Sequence, residues 1–192
     1  MKMTYLIVGI LLMCGVVFYF TRCRNNSTVK NHKTRENAFD GLRDMAFSLT
    51  PVQLGVSFPD DKTIVYGIVM DWGMNSAVVT TVCYQTGDAS LYLSSGGGII
   101  GGGGHQAVNS AAKQFVSLAQ TYLDKATKTE TTDLPATDEI KFYLLTNKGV
   151  FAGEEQMKNF ENETSKWLPL FEEGNKVITE LRLTKGSFDG SL

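Results

Sequence analysis

Three side chains in this sequence are of a type that does chemistry on a substrate: Asp71 as an acid or base, Cys83 as a thiol nucleophile, and His105 as the base that would activate it. Their spacing matches no catalytic signature, so an enzyme reading rests on residue type alone. Cys14, Cys23 and Cys83 are too few and too scattered for a disulfide framework. With no C-x-x-C pair, and only His32 and His105 to help, the chain has no zinc pattern, and neither a metal nor another cofactor is expected. Cys83 itself falls in an apolar, strand-like run, where a thiol is more often an inert small hydrophobe than a nucleophile.

The stretch Ser94 to Gln106, SSGGGIIGGGGHQ, is the other feature with chemical potential, since seven of the nine residues from Gly96 to Gly104 are glycine. Glycine loses the most backbone entropy on folding, so a folded chain keeps such a run where side chains would obstruct a ligand, a partner or its own backbone. Gly96, Gly98 and Gly101 satisfy G-x-G-x-x-G between a strand and a helix. The surrounding order denies a dinucleotide fold, because the preceding strand belongs to a meander and the acid about 20 residues on, Asp124, lies in the same helix. A phosphate-binding Walker loop fails as well, with Gly104 and His105 standing where Lys and Ser/Thr are needed. A simpler anion site remains at the helix N-terminus, whose first turn (His105, Gln106, Ala107) has no acid. Its candidate ligand-binding residues are Gly96, Gly97, Gly98, Gly101, Gly102, Gly103, Gly104 and His105. The alternative is that these glycines let the strand end fold over and the helix pack closely, with Ile99 and Ile100 as a plug.

The elements that position these residues follow an N-terminal apolar run. Tyr5 to Phe20 is unbroken, and with its neighbours it makes about 19 residues, near the ~20 that span a bilayer as helix. Small residues are missing where a signal peptidase would cut, so residues 1–21 read as an uncleaved single-pass anchor. Arg22 to Arg35 is polar, unpatterned and basic, a juxtamembrane linker (residues 22–35) drawn to anionic headgroups. The flanking charges place the following domain on the cytoplasmic side. Six basic residues and no acid lie between Met1 and Arg35, which leaves 12 basic against 20 acidic residues in the remainder, a net of −8. That balance argues against nucleic acid as a partner.

Residues 36–183 read as one globular domain and residues 184–192 as a flexible tail. Phe39, Leu42, Met45, Ala46 and Leu49 recur at helical spacing. Pro51 ends that helix, and Thr50 to Gln53 has the form of a capping box. Thr63 to Met70, Ala77 to Tyr84 and Ala89 to Ser94 form a meander joined by short turns. His105 to Ala126 is an amphipathic helix of about 33 Å. A Thr-rich surface connector, Lys128 to Asp138, leads to strands at Glu139 to Leu145 and Val150 to Ala152. A brief helix near Met157 and a longer one after Ser165 follow, with Pro169 confined to the first turn. The predicted fold class is α+β: an antiparallel sheet of about five strands in the order helix, three strands, helix, two strands, helix, with helices packed on it and one transmembrane helix before it. This order is similar to that of roadblock and profilin-like domains, antiparallel sheets with helices on both faces, a likeness carried by element order alone.

Three functions are consistent with this reading. The first, favoured, is a membrane-anchored, non-enzymatic interaction or scaffolding domain, with membrane lipid, a protein partner or a second copy as what it contacts. The second is a sensor that binds a small anionic ligand at the Gly96–Gly104 loop. The third is an enzyme built on Asp71, Cys83 and His105.

Overall fold

Strand β1 (Val65–Met74) belongs in the middle of a sheet because it carries apolar side chains on both faces, and nine of its ten residues are buried. The computed structural model describes residues 32–188. The predicted anchor Tyr5–Phe20, residues 22–31 of the predicted linker and residues 189–192 of the predicted tail lie outside the described residues. The fold is α+β, with one antiparallel sheet and helices. β1 pairs with β2 (Ala77–Tyr84), which pairs with β3 (Ala89–Leu93), and on its other side with β6 (Glu139–Thr146), which pairs with β7 (Gly149–Gln156).

The sheet has seven strands rather than about five, in the order β4-β3-β2-β1-β6-β7-β5. The two additional strands are both edges: β4 (Gly98–Ile99), inside the glycine run, and β5 (Thr127–Thr129), at the start of the Thr-rich connector. Neither is long enough to display a period of two, and each exists through its partner, β3 in one case and β7 in the other. Element ends also differ from the expectation. The first helix, α1, spans His32–Ser48, the next, α2, spans Gln106–Gln120, and the last, α4, spans Leu168–Phe188, past Leu183. Pro169 is the second residue of α4, where its missing N–H costs nothing. Thr50 and Gln53 do exchange capping-box hydrogen bonds, but over a turn instead of a helix: the Thr50 N–H donates to Gln53 Oε1 at 2.9 Å and the Gln53 N–H to Thr50 Oγ1 at 3.4 Å.

Alternation along the strands sorts side chains into two cores. Ile68, Met70 and Trp72 of β1 point to the larger one, closed by α2, α4 and the short α3 (Met157–Glu161). Trp167 stacks there on Phe142, with ring centroids 5.3 Å apart, and lies flat against Gly153, where a Cβ would stand 2.1 Å from its ring. Val69, Val82, Tyr92, Tyr143 and Leu145 point to the smaller core, which α1 covers with Phe39 and Ala46. A shift of register between Val65 and Gly67 turns Tyr66 to the same side. The Thr-rich connector adds to this cover, because Pro135 is buried and a Cβ on Gly73 would stand 1.9 Å from the Ala136 carbonyl oxygen. The connector runs over the surface as expected, and Pro135 with the Ala136 carbonyl holds it against the end of β1.

Candidate functional site

Asp71 sits on β1 facing the smaller core, fully buried. A carboxylate in such a place must be paired or neutral, because isolating it from water costs several kcal/mol. Its partner comes from α1: Arg43 Nε donates to Asp71 Oδ2 at 3.0 Å and the Arg43 NH2 group to the same oxygen at 2.6 Å. Thr80, directly opposite Asp71 on β2, donates its hydroxyl to Oδ1 at 2.5 Å. Lys141, opposite Asp71 on β6, adds a nearby positive charge and reaches Glu154 at 3.6 Å. Burial pushes the Asp71 carboxyl above the usual aspartate range, against the pull of Arg43, Thr80 and Lys141.

Arg43 is the residue that the periodicity of α1 passed over. Phe39, Arg43 and Ala46, at i, i+4 and i+7, form the buried stripe, while Met45, expected inside it, is 60% exposed. Leu42 and Leu49 still pack against the same core, so the guanidinium enters within the apolar face of the helix, where it meets Asp71 on the sheet below. Phe47 and Tyr143 complete the setting: the Arg43 guanidinium carbon lies 4.8 Å from the Phe47 ring centroid and 5.7 Å from that of Tyr143. Burial, with the Asp71 charge beside it, raises the Tyr143 phenol to about 12. The signal that would have found Arg43 is Asp71 itself, an acid in a strand apolar on both faces, which obliges some basic residue to come inside.

Cys83 and His105 do not join this cluster. Cys83 belongs to the larger core, on the opposite face of the sheet, where it is fully buried and desolvation holds its thiol far above the usual cysteine range. A thiol so protonated is a poor nucleophile. His105 is the N-cap residue of α2. The sheet thus separates Asp71 from Cys83.

The candidate ligand residues of the glycine run occupy three kinds of position. Gly96, Gly97 and Gly101 adopt φ of 99°, 89° and 74°, a left-handed backbone that other residues rarely take, and the first two turn β3 back into β4. Gly98 pairs with Tyr92, and a Cβ there would stand 2.3 Å from the Leu91 carbonyl oxygen. Gly102, Gly103 and Gly104 form a single 3-10 turn leading to His105. In that turn a Cβ on Gly102 would press on Leu181 of α4 at 2.3 Å, and one on Gly103 would meet Asp88. Asn109 of α2 ties the turn down, donating to the carbonyls of Gly103 and Thr86, each at 3.3 Å. The glycines thereby let a strand, a turn and two helices approach one another. Asp88 also places an acid of the chain's own beside Gly103, where an anion at the α2 N-terminus would feel its repulsion.

No protein-family model, curated protein or solved structure matches the chain. Among the described residues no group of three or more His, Cys, Asp or Glu side chains is placed to hold a metal ion. No helix among them is long and apolar enough to cross a membrane.

Proposed function

We propose that the chain is a membrane-anchored interaction or scaffolding domain, which works by presenting a folded surface to a protein partner or to a second copy of itself. The observation that carries this reading is the fate of Asp71. The most reactive-looking carboxylate in the domain is spent on holding α1 to the sheet, with both its oxygens occupied by Arg43 and Thr80. Cys83 is sealed in the opposite core. Helices cover both faces of the sheet, so the surfaces left for recognition are the two edges and the outer sides of the helices. Placement in the membrane follows from Tyr5–Phe20, and the basic linker favours the cytoplasmic side.

The test uses membranes that hold the full chain. Alkaline carbonate should leave it in the pellet, and chemical crosslinking before solubilisation should yield a species larger than one chain. Recovery in the supernatant overturns the anchor. A chain that stays uncrosslinked at all reagent concentrations, together with a turnover abolished by Asp71→Asn in a folded protein, overturns the interaction reading in favour of an enzyme.

A further inference from the structure

β7 is covered along only part of its outer side. It pairs with β6 through all eight of its residues in an unbroken register, but with β5 only at Val150, Phe151 and Ala152. Gly153, Glu154, Glu155 and Gln156 are therefore strand with no strand beside them on the outer side. Among the described residues, their backbone makes one hydrogen bond besides the β6 ladder, from the Gln156 N–H to Glu155 Oε1 at 3.0 Å. Sheets usually blunt such an edge with a lysine, a proline or a bulge. β4 ends the sheet on one side with two residues and β5 on the other with three, Lys128 among them, whereas residues 153–156 carry no lysine, proline or shift of register.

Charge decides what fits there. Alternation along β6 and β7 puts Glu139, Lys141 and Tyr143 on the same face as Ala152, Glu154 and Gln156, the face of the smaller core. The Glu154 side chain is 65% exposed, with Lys141 3.6 Å from one of its oxygens. Asp133 is exposed beside them, its backbone carbonyl accepting from the Tyr143 hydroxyl. Three acids, Asp133, Glu139 and Glu154, thus stand at this corner of the face with one lysine, Lys141. A second copy is a poor occupant, because antiparallel pairing of the stretch with itself sets Glu154 and Glu155 against the same two residues. We infer that residues 153–156 take an extended segment of a partner protein as a further strand, with basic side chains at every second position facing Glu154. Backbone hydrogen bonds supply the attachment, and the basic residues supply the selection. This edge is the recognition surface of the interaction domain proposed above, and it rests on that reading.

The probe is a short peptide of alternating Lys and Val, added to the full chain in neutral detergent micelles. Its control is the same peptide N-methylated throughout, which keeps the charge and removes every backbone donor. Fluorescence anisotropy measures binding, and hydrogen exchange with mass spectrometry locates it. The unmodified peptide should bind about tenfold more tightly than the control, since the control cannot complete the ladder. It should slow exchange at residues 153–156 and not at β4, and Glu154→Gln should weaken it severalfold. Equal binding of the two peptides, indifference to Glu154→Gln, or protection elsewhere than at residues 153–156 overturns the added strand. Chemical crosslinking of the full chain in its own membranes is run in parallel. A larger species without peptide binding overturns the edge and leaves the interaction reading standing. Peptide bound as expected without a larger species supports the edge and counts against the interaction reading, and failure of both overturns both.

Discussion

Gly98 lies so close to the β3 backbone that a Cβ on it would stand 2.3 Å from the Leu91 carbonyl oxygen, whereas one on Gly104, six residues on, would meet nothing within 4 Å. The glycine run is therefore constrained position by position. Gly98→Ala should lower stability by more than about 1 kcal/mol, since backbone and not a side chain must give way, while Gly104→Ala should stay within about 0.5 kcal/mol of the parent. Denaturant unfolding of the two purified variants measures this. Equal stabilities would mean that the run is a slack connector.

Cys83 should resist alkylation in the folded chain. It is fully buried and its thiol is held protonated by desolvation. Iodoacetamide followed by peptide mass spectrometry should leave Cys83 unlabelled until guanidinium unfolds the domain. Rapid labelling under native conditions would restore it as a candidate nucleophile.

The chain should lose stability in alkali as tyrosines ionise. Tyr143 is raised to about 12 in the fold, against about 10 in an unfolded chain. Between those values the unfolded state releases the phenolic proton first, so the contribution is intact below about pH 10 and is lost as pH rises toward 12. Tyr84 is shifted in the same direction by burial. Absorbance of tyrosinate, followed with far-ultraviolet circular dichroism, should show the last tyrosines ionising together with unfolding. Their full ionisation near pH 10 in a folded domain would contradict the burial described.

Much of the fold was legible where one face of an element is apolar over several residues. β1 reads as buried on both sides, the meander follows from its short turns, and α2 shows Val108, Ala112, Phe115 and Ala119 as a continuous stripe. The edge strands were not legible. β4 and β5 are defined by hydrogen bonds to β3 and β7, and two or three residues carry no periodicity of their own. Connector packing was equally hidden, because nothing in the sequence around Ala136 says that Gly73 makes room for its carbonyl.

At the candidate site the residue types were visible and their grouping was not. Asp71 was named for its chemistry, but its partner lies 28 residues away on a helix, among apolar residues that face the same core. A period of 3.6 weighs side chains by hydropathy, and so it assigns a buried arginine to solvent and an exposed methionine to the core. Only the demand of the buried acid for a counter-charge reverses that assignment.

The central claim is that Asp71 is a structural partner of Arg43 and not a reserve of reactivity, and a double-mutant cycle on unfolding free energy tests it most directly. Asp71→Asn and Arg43→Met should each cost about 3–5 kcal/mol, because each strands a buried group. The double variant should lose clearly less than the sum of the two. A D71N protein as stable as the parent, or more stable, would contradict the account, since that is the behaviour of a residue kept for chemistry at the expense of stability.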